Sequence, residues 1–248
     1  VAGVDSVAFH FDPSRAESRT ARLMVDRAIQ AGAGAQPVVP IVESAERQPG
    51  SRYIDWVIPG LIGLNLLSTG MWGIGFGIVM MRQKKQLKRL IATPMHRGDF
   101  LFAQMLARLG FLILEVPPLI LFAWFAFDVR MAGSWLDLTI VVLLGTLAFS
   151  GLGLLAASRP RTIEGASGIM NVIMLPMFIL SGVFFSASRF PDPIQPFIQA
   201  LPLTALNDAL RAVYNDGRPL MEVPLELLNL LLWTLGSAFI ALRLFRWR

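Results

Sequence analysis

Five stretches of this chain are long enough to cross a bilayer and carry almost no charge. Residues 57–81, 138–158 and 165–188 contain no Asp, Glu, Lys or Arg. Residues 109–127 contain one, Glu115, and residues 223–245 contain Glu226 and Arg243 near their two ends. A hydrocarbon core of about 30 Å takes about 20 helical residues to cross. No water is available there to pair backbone amides and carbonyls, so a run of this kind folds as a helix that pairs its own. The expected fold class is an all-α polytopic membrane protein with five transmembrane helices. Composition agrees, with 16% charged residues against about 25% in soluble domains.

Lys and Arg between the runs set an orientation. The connection 82–108, the third connection and the tail together hold twelve of them; the second and fourth connections hold four. The twelve are expected in the cytoplasm, at a plasma or inner membrane, with the C-terminus inside and residues 1–56 outside. A polar segment outside needs a span ahead of it, so the chain reads as a fragment of a six-span protein that lacks the first span. Residues 1–52 are then the end of a small external α/β domain with its linker, and 53–248 the transmembrane domain. Within the external piece, alternation over 4–12 predicts a strand and helical spacing over 13–31 a helix. PVVPIVE (37–43) predicts a second strand, held to an edge by Pro40.

Several chemistries are absent from the pattern. The chain has no Cys, and its two His, His10 and His96, are far apart. No catalytic set and no metal site are expected. G-x-x-x-x-G-K-[ST] does not occur, so no phosphate-binding loop is expected in these 248 residues. The net charge of +5 is accounted for by orientation, and nucleic-acid binding is not expected.

The most basic segment is RQKKQLKRLIATPMHRGDF, residues 82–100. Leu87, Leu90 and Ile91 share one helical face, and Lys84, Lys85, Lys88 and Arg89 cover the rest. This predicts a short amphipathic helix along the membrane surface. Pro94 limits it at Thr93, and a new helix starts near residues 97–99. By charge alone the elbow is either a lipid anchor, at about 1 kcal/mol per basic residue, or a docking surface.

Residues 189–222 hold Pro191, Pro193, Pro196 and Pro202, which break any long helix. Leu203, Leu206, Leu210 and Val213 share a face, with Asn207, Asp208 and Arg211 turned from it. This predicts a helix in the outer interface.

The elbow, RQKKQLKRLIATPM followed by a membrane-directed helix, resembles that of type-2 ABC exporter permeases. LSGVFFSASRFPDPIQPFIQALPLTALNDALRAVYNDG (180–217) resembles a second segment of the same family, and the likeness covers about 52–248. It implies a permease subunit working as a homodimer or with a related permease subunit, among membrane lipids. A separate ATP-binding subunit would hold ATP and Mg2+, with no cofactor on this chain. The elbow would couple to that subunit through Leu87, Lys88, Arg89, Leu90, Thr93 and Pro94. Residues 189–222 would form a re-entrant helical hairpin capping the pathway. The elbow begins Arg82-Gln83-Lys84-Lys85, where many members carry Glu.

Within the spans, Glu115 is read as the one ionisable group at depth. An acid at the bilayer centre costs about 2.5–3.5 kcal/mol on insertion scales, so it must face protein or water. Glu115, Asn65, Asn171 and Ser181 are the candidates for a substrate pathway; interhelical hydrogen bonding is the structural alternative. Gly70, Gly73 and Gly77 form a small-residue face that suits either a subunit interface or packing within one subunit. The expected function is export of a drug, lipid or other amphipathic compound. An ion-coupled secondary transporter and a non-transporting scaffold are the rivals.

Overall fold

The computed structural model describes residues 7–11, 16–32, 41–45, 52–92 and 96–245. The chain divides into two compact units, residues 1–55 and 56–248. In the first, strand β1 (Val7–Phe11) pairs in parallel with β2 (Ile41–Ala45), in register Val7 to Ile41 and Phe11 to Ala45. Helix α1 (Ala16–Gly32) lies between them in sequence. Of the strand expected over 37–43, residues 37–40 lie outside the described residues, and β2 is described from Ile41.

The second unit is helical. Among the described residues, five helices are long and apolar enough to cross a membrane: Tyr53–Gln83, Gly98–Phe127, Trp135–Ala156, Ile163–Leu180 and Pro224–Leu244. The first comprises α2 (Tyr53–Ser68), a π-helical turn at Thr69–Gly73, and α3 (Ile74–Gln83). Then come α4 (Gln86–Ile91), α5 (Arg97–Phe127), α6 (Trp135–Ala156) and α7 (Ile163–Leu180). Two short helices, α8 (Gln195–Ala200) and α9 (Pro202–Tyr214), precede α10 (Pro224–Leu244).

Helix starts follow capping chemistry. Ser134 Oγ accepts from the Leu136 amide at 3.2 Å at the head of α6, and Thr162 Oγ1 from the Gly165 amide at 3.1 Å at the head of α7. Pro117, Pro118 and Pro176 lie inside α5 and α7 without ending them, as membrane helices allow.

The bundle is built around α6, which packs on α10, α9, the π-helical turn and α5. Lipid tails are as apolar as leucine, so close van der Waals contact, not water exclusion, drives this packing. Small residues supply it. A Cβ on Gly70 would lie 2.8 Å from Phe149 Cβ, and one on Gly153 would lie 2.6 Å from the Gly70 carbonyl oxygen. Gly70 is therefore spent inside the subunit and cannot serve the subunit interface expected of it. At Gly73 and Gly77 the space around a built Cβ is open to 4 Å.

The fourth span ends eight residues before the expected residue 188. Hydropathy continues through Ser181-Gly-Val-Phe-Phe, but Gly182 adopts φ +74° and the chain turns out of the helix. An L side chain there costs about 1–2 kcal/mol. Gly182→Val is expected to lower the thermal midpoint in detergent, whereas Gly168→Ala, in open space on ordinary helix, leaves it unchanged or slightly raised. Equal midpoints for the two variants in a thermal-shift assay would overturn the turn's role.

Candidate functional site

The elbow is built on α3. That helix runs to Gln83, Lys85 takes a left-handed conformation at φ 55°, and α4 follows as a six-residue helix. Leu87 is 1% exposed. It faces the protein itself and cannot be a contact for a docked subunit, which corrects the expectation drawn from its face of the helix. Lys88 and Arg89 are exposed, and Leu90 is half-buried. Thr93 and Pro94 lie outside the described residues.

Arg82 fixes the root of this elbow. Its guanidinium donates to the carbonyls of Ala157 at 3.0 Å and Ser158 at 3.1 Å, and to that of Pro160. These follow the last turn of α6, where carbonyls lack helical partners and the helix dipole is negative. Its Cζ also lies 5.4 Å from the centre of the Phe245 ring, just beyond α10. One side chain thus joins the ends of α3, α6 and α10. Read in sequence, Arg82 was only one positive charge among seven.

At depth, Glu115 is not the lone charge expected. Arg108, placed by sequence in the connection, lies on the same helix and is buried. Its spacing of seven puts it two turns away on the same face. Its Nη1 donates to Glu115 Oε1 at 2.8 Å, and its Nη2 reaches both Glu115 Oε2 and the Thr69 hydroxyl oxygen. The Thr69 hydroxyl lies 2.7 Å from the Asn65 carbonyl and 3.1 Å from Glu115 Oε2, and gives its one proton to either. Thr69 opens the π-helical turn, a distortion that concentrates at functional sites. A cavity of about 510 Å3 lies here, between the π-helical turn and α5.

The four expected pathway residues therefore do not share one site. Thr69 joins Glu115 to the backbone carbonyl of Asn65, not to the Asn65 side-chain amide. Asn171 is exposed on α7. Ser181 is buried at the turn beyond α7, where its carbonyl accepts from Asn207 Nδ2 at 3.1 Å. Among the described residues, no three His, Asp or Glu are grouped to hold a metal ion.

Helix α9 is buried on almost every side. Leu203, Leu206, Leu210 and Val213 are fully buried, and the helix packs on α6 and α10. Asn207 and Arg211, expected to turn toward water, are buried as well. The turn after α7 explains this, because it offers bare carbonyls: Arg211 donates to Gly182 O at 2.5 Å. Arg211 also stacks 3.6 Å above the Trp56 ring and pairs with Asp208 Oδ1 at 3.4 Å. Asp208 keeps an open edge, yet the protein crowded around it desolvates the carboxyl and pushes it up to about 6. Arg211 opposes that rise and Glu226 adds to it. Burial draws Arg211 down to about 10, against the pull of Asp208.

The family model described as ABC-2 type transporter matches residues 25–215. Among similar proteins, ABC transporter G family member 20 of Dictyostelium discoideum is 26% identical over 217 residues, covering 86% of this chain and 29% of that protein. The probable multidrug ABC transporter permease YbhS of Escherichia coli is 23% identical over 217 residues, 86% of this chain and 56% of its own length. The putative transport permease YvfS of Bacillus subtilis is 24% identical over 156 residues, 62% of this chain and 63% of its own. The chain thus spans between 29% and 63% of these relatives. The matched region takes in the elbow, the ion pair and all but the last of the five spans, and the chain belongs to the ABC-2 type transporter family, as a multi-pass membrane permease.

Proposed function

We propose that this chain is the transmembrane subunit of an ATP-driven exporter, and that a separate ATP-binding subunit docks on its elbow from the cytoplasm. The observation that carries this reading is the mounting of α4. Leu87 is buried against the protein, Arg82 ties the end of α3 just before it to α6 and α10, and Lys88 and Arg89 are exposed, the geometry of a lever with an exposed charged end. ATP and Mg2+ belong to the partner. The hairpin α8–α9 lies on the outer side in this reading. The cargo is amphipathic, in keeping with the mainly apolar interior and with the multidrug name borne by one relative.

A second copy, or a related permease subunit, would pack on α7. That helix leaves most of its surface open, and Asn171 stands exposed in its middle. An amide gains from a partner across a helix interface and finds none in hydrocarbon.

The test is co-purification with the ATP-binding subunit encoded beside it, followed by vanadate-sensitive ATP hydrolysis. Lys88→Glu/Arg89→Glu is expected to lower co-purified hydrolysis about tenfold or more, as loss of two charge contacts implies. The thermal midpoint should not move, because both side chains are exposed. Hydrolysis unchanged by the double substitution would make the elbow a lipid anchor and favour a secondary transporter or a scaffold.

A further inference from the structure

We propose that the cavity between the π-helical turn and α5 binds an amphipathic organic cation, an apolar or aromatic body with a permanent or protonated positive charge. Its physiological meaning as a cargo site rests on the exporter reading above, but binding itself does not.

The walls set the class of ligand. Thr69, Trp72 and Gly73 line one side, and Gln104, Arg108, Phe111 and Glu115 are among those that line the other. A volume of about 510 Å3 falls within the roughly 300–1,000 Å3 of small-molecule sites. Two aromatic rings face it, and a cation over an aromatic face is attracted by the ring's quadrupole. Trp72 is held in place by Phe76, with ring centroids 4.8 Å apart. Gly73 leaves a notch, since nothing lies within 4 Å of where its Cβ would stand.

The ion pair supplies the polarity. Arg108 and Glu115 neutralise one another, yet they are not equally placed. The Arg108 side chain is 7% exposed and the Glu115 side chain 21%. Both side chains line the cavity, and the carboxylate is the more open of the two, so it offers an entering molecule more surface than the guanidinium does. A carboxylate accepts up to about four hydrogen bonds, and Arg108 and Thr69 leave part of that capacity open. An anion would meet the more open carboxylate and be repelled. A neutral apolar body would leave the carboxylate unused. A cation satisfies the carboxylate and both rings together.

The experiment uses tritiated tetraphenylphosphonium and the purified protein in phosphatidylcholine nanodiscs. The expected result is saturable binding above that of empty nanodiscs, with neutral triphenylphosphine oxide failing to compete. Gly73→Leu and Ala107→Phe fill the cavity from opposite walls without touching the ion pair, and each should weaken binding about tenfold or more. Glu115→Gln keeps an acceptor for Arg108 but removes the charge, and should weaken binding by a similar factor. Absence of saturable binding overturns the proposal, as does binding left intact by both filling variants. Competition by the neutral oxide as strong as by the cation overturns the cation class. ATP-driven efflux is then measured separately in the complex. Binding without efflux sinks the exporter reading and leaves the site standing. Efflux of another compound without tetraphenylphosphonium binding sinks the site alone.

Discussion

Arg82→Ala is expected to cost about 2–3 kcal/mol of stability, the loss of several charge-assisted hydrogen bonds discounted for a partly exposed donor. For a chain of this length that corresponds to a fall in thermal midpoint of about 5–10 °C. The reasoning is geometric. Three carbonyls beyond the end of α6 converge on one guanidinium, which also stacks on Phe245. Removing it leaves those carbonyls without this donor and removes the contact with Phe245 just beyond α10. Arg82→Lys keeps the charge but offers a single ammonium in place of a planar fork, and should recover less than half of the loss. Arg82→Met keeps the stem and no charge, and should behave like alanine. Differential scanning fluorimetry on the four proteins decides it, and midpoints within a degree of one another would remove Arg82 as a lock. If the exporter reading holds, the same variants should hydrolyse ATP with poor efflux, because the elbow would swing without moving α6 and α10.

The spans were legible because charge is scarce in this chain and its absence has one physical reading. All five apolar runs, three of them free of charge, correspond to helices. What hydropathy could not see was where polar groups enter a helix with their partners already supplied. The first long helix reaches back to Tyr53, past Asp55, whose carboxylate accepts from the backbone amide and side chain of Arg52. It reaches forward past Arg82, whose charge is taken up by the carbonyls beyond α6. The end of α7 was invisible for the opposite reason, since Val183, Phe184 and Phe185 are as apolar as a span and only the backbone of Gly182 breaks it.

The candidate site was half legible. Glu115 announced itself as an acid in an apolar run. Arg108 did not, because it sits at the margin of the elbow and was counted among the orienting charges. The spacing of seven between them was the available signal. Asn207 and Arg211 illustrate a different limit. An amphipathic pattern tells which face of α9 is apolar, but not that the other face will meet the carbonyls of a turn. Gly70 shows the same ambiguity, because a small-residue face states that something comes close without saying what.

The ion pair yields the sharpest test of this revised site. Glu115→Ala strands a buried guanidinium that cannot release its proton, and is expected to cost about 3–5 kcal/mol. Arg108→Leu should cost less, about 1–3 kcal/mol, because Glu115 is the more exposed of the pair and keeps the Thr69 hydroxyl as a partner. Arg108→Leu/Glu115→Leu removes both charges and fills the space with carbon, and should return to within about 1 kcal/mol of wild type. With Glu115→Leu measured beside them, Arg108→Leu and the double variant complete a double-mutant cycle whose interaction term should far exceed the few tenths of a kcal/mol expected of independent sites. Reversible unfolding in mixed micelles measures it. A double variant whose loss equals the sum of the two single losses would mean that the two side chains act separately and that the pairing seen between them contributes nothing. A stable double variant that no longer binds tetraphenylphosphonium would assign the pair to recognition, since the bundle would hold equally well without it.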